Sequence, residues 1–97
     1  MTAVVSKAAV LVVLALGMAL GVAPSASASE ASYVDRLESQ FPFLTPAQLL
    51  PEGHKVCRFV SAGRPVGDAI PMIVKDLAVT VAVAFEISAA AAEELGC

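Results

Sequence analysis

The sequence predicts an all-α domain: a small bundle of about three to four helices, stapled by one disulfide and preceded by a cleaved signal peptide. Three observations carry this prediction. An uncharged apolar stretch near the start runs into small residues, apolar side chains recur at helical spacing through the remainder, and the only cysteines are Cys57 and Cys97.

Residues 1–28 have the parts of a translocation signal: a basic start with Lys7, an uncharged core from Ala8 to Ala23, and a small-residue tail. Pro24 breaks the core helix, so Ala26-Ser27-Ala28 is expected to reach a peptidase extended, with cleavage between Ala28 and Ser29. The competing reading is a retained anchor, since the 16 uncharged residues fall a little short of a bilayer span. A lipoprotein would need a cysteine directly after the apolar core, and the first is Cys57.

Cleavage leaves residues 29–97 as one domain with nine acids against five bases, a net charge of −4. Scattered bases on an acidic chain argue against nucleic acid, which needs clustered Lys and Arg to neutralise phosphates. A chain this short buries only about 60% of its unfolded surface and is marginal without a cross-link. Export to an oxidising compartment makes a Cys57–Cys97 disulfide the expected staple. The alternatives are two free thiols or an intermolecular bridge. The intramolecular bridge closes about 41 residues, worth roughly 4 kcal/mol in the loop-entropy model.

The first helix is expected over Ser32–Phe41, where Tyr33, Leu37 and Phe41 fall at spacing four with Val34 beside them. Ser32 and Asp35 suggest its cap, and Pro42 ends it. The following stretch holds three prolines and reads as a connector with at most one helical turn from Thr45-Pro46. A second helix is expected from Pro51-Glu52 to Ala62, stopped by Gly63, with Val56, Cys57, Phe59 and Val60 facing inward. A third follows Arg64, with Val66, Ile70, Ile73, Val74 and Leu77 as its apolar face; Pro71 either kinks it or moves its start to Ile70.

The last segment, Leu77–Leu95, carries a mixed signal. Val79, Val81 and Val83 alternate as in a strand, whereas the alanine-rich run after Phe85 is strongly helical in propensity. A lone strand would leave its ladder groups unpaired, so a helix is expected, capped at Thr80. It is apolar nearly all round, which fits a central helix or one partly exposed in an interface.

The leading signal, the aromatic opening helix, Gly53-His54-Lys55-Val56-Cys57, Gly63-Arg64-Pro65 and the alanine-rich ending at Cys97 together resemble a family of small secreted mycobacterial proteins, domain-of-unknown-function family 732. The resemblance covers nearly all of residues 29–97. It implies a helical fold, with Cys97 pairing with Cys57, and no assigned activity. The sequence departs from the family pattern in lacking a Pro after the last Cys and in having Thr80-Val81 where a Thr-Pro is usual.

No catalytic, cofactor-binding or metal-binding constellation stands out. His54 and Cys57 could face each other on a helix as a base and nucleophile, but Cys57 is the expected disulfide partner and no third group orients the imidazole. His54, Cys57 and Glu52 are too few for a structural zinc site. Glu93-Glu94 read as a solvated surface, and the aromatics Tyr33, Phe41, Phe59 and Phe85 as core. Phe43, between Pro42 and Pro46, is the candidate partner contact. The expected function is therefore that of a non-catalytic interaction module, secreted or in the cell envelope after export by the general secretory route. Its partner would be an envelope or extracellular protein, and no stable membrane span would remain once the signal is removed. The alternative is a membrane-active or self-associating protein using the apolar last helix.

Overall fold

The computed structural model describes residues 26–97, so the predicted signal segment before Ala26 lies outside the described residues. Those residues form four α-helices with no strand among them: α1 (Ala26–Gln40), α2 (Pro46–Ser61), α3 (Ile70–Leu77) and α4 (Val81–Glu94). A short 3-10 helix over Val66–Ala69 leads into α3.

α1 is already helical at Ala26, the first described residue and six before the Ser32 start that the sequence suggests. The expected cap fails because the Ser32 hydroxyl donates to Glu94 Oε1 at 2.6 Å across the bundle. Alanines 26, 28 and 31 favour helix, so the turn preceding Ser32 is helical too. In the folded chain Ala26-Ser27-Ala28 is therefore helical rather than extended, and all three residues are exposed.

α2 also starts early and absorbs half of the expected connector. Thr45 caps it with a complete capping box: its hydroxyl accepts from the Gln48 backbone, and the Gln48 side chain accepts from the Thr45 backbone. Pro46 sits in the first turn, where its missing N–H costs nothing, and Pro51 deprives only the carbonyl of the exposed residue Ala47 of its helical partner. Three prolines thus misled the boundary because two of them occupy tolerated positions. Gly63, at φ +90°, turns the chain away as expected. Thr45→Ala should cost about 1 kcal/mol of stability, measurable by urea unfolding, with the loss concentrated in the first turns of α2 by hydrogen exchange.

Pro71 delays the third helix rather than kinking it: the 3-10 turn takes the chain to Ile70, and Pro71 falls in the first turn of α3. Val66, expected on the apolar face, is instead exposed because it lies in the 3-10 turn. α3 ends at Ala78, which adopts a left-handed conformation at φ 54°. Thr80 then caps α4, its hydroxyl accepting from the Val83 N–H.

α4 packs against every other element. Ala84, Ile87, Ala90 and Ala91 are fully buried, and the small side chains let neighbouring helices approach closely. Tyr33, Leu37, Leu49, Val56 and Ile73 complete the core from α1, α2 and α3. Burial of Ser88 is met by its hydroxyl donating to the Phe85 carbonyl at 2.8 Å. The α4 register that buries these alanines turns Phe85 outward, so the aromatic expected in the core is 56% exposed.

Candidate functional site

Cys57 and Cys97 are joined in a disulfide with Cα atoms 5.2 Å apart, tying the C-terminal half of α2 to the segment that follows α4. No free cysteine exists among the described residues. The sulfur of Cys57 is consumed by the staple, which removes the nucleophile that the His54/Cys57 spacing offered. His54 is exposed, and its Nε2 lies 2.5 Å from Glu30 Oε2 on α1. This pair and the disulfide line an open pocket of about 250 Å³ together with Ala26, Ser29 and Leu95. It thus draws on the predicted cleavage residues, although Ala28 itself is not among those lining it.

A second polar cluster joins α1 to α4. Arg36 pairs with Glu93 at 2.7 Å and with Glu94 at 3.2 Å, and Ser32 donates to Glu94. The Ser32 hydrogen bond, followed by Arg36, holds the Glu94 carboxyl below its ordinary range. Glu93 is solvated, as the sequence reading has it, whereas Glu94 is half-buried and held by Ser32 and Arg36. Their partners stand 57 or more residues earlier in the chain, which no local pattern reveals.

A third cluster lies between α2 and α3. Lys55 Nζ donates to Asp76 Oδ2 at 2.6 Å. One turn back on α2, Glu52 is only 6% exposed, and its Oε2 has no hydrogen-bond partner. Burial foremost, then the nearby Asp76 carboxylate, push the Glu52 carboxyl up to about 7. Among the described residues no group of His, Cys, Asp and Glu is arranged to hold a metal ion. The signal that could have found Glu52 is its spacing of four from buried Val56, which puts both on one helix face.

The remaining candidates are apolar. Phe43 is 64% exposed in the turn between α1 and α2, its ring edge-on to Phe41 at 6.1 Å between centroids. Val81 is 65% exposed and stands four residues before Phe85, so both face outward from the first turns of α4. Phe59 is half-buried, with the Arg64 guanidinium 4.1 Å over its ring. No helix among the described residues is long and apolar enough to cross a membrane. No family model, curated protein or solved structure matches the chain.

Proposed function

We propose that this protein is a non-catalytic interaction module, exported by the general secretory route to the cell envelope or medium, which binds a partner protein through apolar side chains that its own core leaves uncovered. The observation carrying this reading is the outward face of α4, where Val81 and Phe85 are each more than half exposed although the helix is central to the domain. Phe43 is the second contact, presented on a turn with its ring braced by Phe41. Aromatic side chains held by a rigid scaffold are the usual anchors of protein interfaces. The disulfide fits an oxidising compartment, and the resemblance to family 732 supports export and a helical build while assigning no chemistry.

The test is affinity capture from native envelope with the oxidised chain as bait, comparing the unmodified chain with Phe85→Ser and Phe43→Ser. Retention of a specific protein should fall by about tenfold or more in at least one variant, corresponding to roughly 1.4 kcal/mol of binding energy. Equal retention by both variants removes these residues from the interface. Turnover of an envelope substrate that disappears in His54→Ala would overturn the non-catalytic reading.

The same exposed residues support a second reading, in which α4 self-associates or seats on lipid. Sedimentation and liposome flotation separate it from the first: a dimer, or partitioning that Phe85→Ser abolishes, would replace the partner reading.

A further inference from the structure

We infer that a proton on Glu52 fastens α3 to α2, so that the domain is tightest in mildly acidic surroundings and loosens as they become neutral. The geometry supplies the reason. Glu52 is the one acidic side chain among the described residues that the fold buries, and Oε2 has no hydrogen-bond partner. Its neighbour across the helix contact, Asp76, is already engaged by Lys55 at 2.6 Å. A single ammonium therefore serves two carboxyl groups. With Glu52 neutral, its hydroxyl donates to the Asp76 carboxylate and Lys55 balances the remaining charge. With Glu52 ionised, two carboxylates face each other inside the contact, one of them desolvated with no donor for Oε2.

Two groups act on Glu52 directly, Asp76 and Lys55, and the other ionisable groups around them act through these or respond to Glu52. Asp76 approaches from α3, with Lys75 beside it; Tyr33 lies on the α1 side; Lys55 belongs to the same helix, with Arg58 one turn on. None of the interactions that move the Glu52 carboxyl comes from α4. Asp76 is held low, by Lys55 first, so its own contribution is complete well below neutrality. Glu52 runs the other way: its carboxyl titrates higher in the folded domain than in the unfolded chain. The stabilisation is fully present below the unfolded value of 4.5 and is lost as pH rises through about 7. Most domains lose stability in acid through their carboxylates; here this pair reverses the sign over the mildly acidic range.

Denaturant unfolding of the oxidised chain between about pH 5 and about pH 8 tests this. The unfolding equilibrium constant should rise on the order of a hundredfold across that window, and Glu52→Gln, which keeps a donor for Asp76 and cannot ionise, should flatten the rise to within about threefold. A wild-type chain whose stability is flat or increases over the window overturns the proposal, as does a Glu52→Gln chain that keeps the full dependence. Should that variant not fold, the carbon-13 shift of the Glu52 carboxyl in the unmodified chain decides. A midpoint in the ordinary carboxylate range overturns the proposal, and one near neutrality supports it.

Discussion

Replacing Cys57 and Cys97 together by serine is expected to lower the unfolding free energy by about 4 kcal/mol, leaving the domain mostly unfolded or nearly so at physiological temperature. The cross-link closes a sequence separation of 40 residues, which contains the 3-10 turn, α3 and α4 complete. α3 has eight residues, far fewer than a free helix needs to persist in water. α4, although longer, derives its place from packing on the other elements rather than from an amphipathic stripe of its own, since Val81 and Phe85 face outward while Ala84 and Ile87 face inward. Without the staple, both must be held to α2 by side-chain contacts alone, in a domain too small to bury much surface. Urea unfolding of the oxidised, dithiothreitol-reduced and double-serine chains measures the effect. Reduced and double-serine chains should agree with each other, and a difference from the oxidised chain under about 1 kcal/mol would mean that the core suffices without the bridge.

The staple and the helical class were legible because they rest on signals that a one-dimensional reading can hold: two cysteines with no rival pairing, and periodicity within single segments. The same applies to the last helix. Its Val79-Val81-Val83 alternation suited a strand, yet Thr80 as cap and the want of a partner strand pointed to helix, and Thr80 does accept from Val83. What the sequence hid were relations between segments. Ser32 looks like a cap because its partner Glu94 lies 62 residues away, and Pro51 looks like a helix start because Thr45-Pro46, six residues earlier, suggests no more than a single turn. The outward turn of Phe85 depends on which face of an almost uniformly apolar helix meets its neighbours, and no spacing rule decides that. Glu52 is one acid among nine, and its spacing of four from Val56 is the only local hint that the fold buries it.

Gly53 is the position where a crossing of helices can be tested with a single methyl group. A Cβ there would lie 2.7 Å from Tyr33 Cζ, 2.8 Å from its hydroxyl oxygen and 2.9 Å from Leu95 Cδ1, all well inside van der Waals contact. Leu95 sits half-buried just past the end of α4 and can turn aside. The Tyr33 ring cannot: it is fully buried, and its hydroxyl donates to the Leu49 carbonyl at 2.8 Å on the same helix as Gly53. Burial, with the nearby Glu52, pushes that hydroxyl well above the usual range, so it remains a donor at any ordinary pH. Gly53→Ala should therefore either overpack the contact or push the ring off Leu49 and strand a buried hydroxyl, each at about 1–3 kcal/mol. The better helix propensity of alanine returns at most about 1 kcal/mol, so a net loss of about 2 kcal/mol is expected. Tyr33→Phe in the Gly53→Ala background should recover only part of this, because Cζ still stands at 2.7 Å, and the two changes should be non-additive. Gly67→Ala is the control: nothing lies within 4 Å of its added Cβ, so a loss there as large as at Gly53 would show that the cost comes from the backbone rather than from the tyrosine.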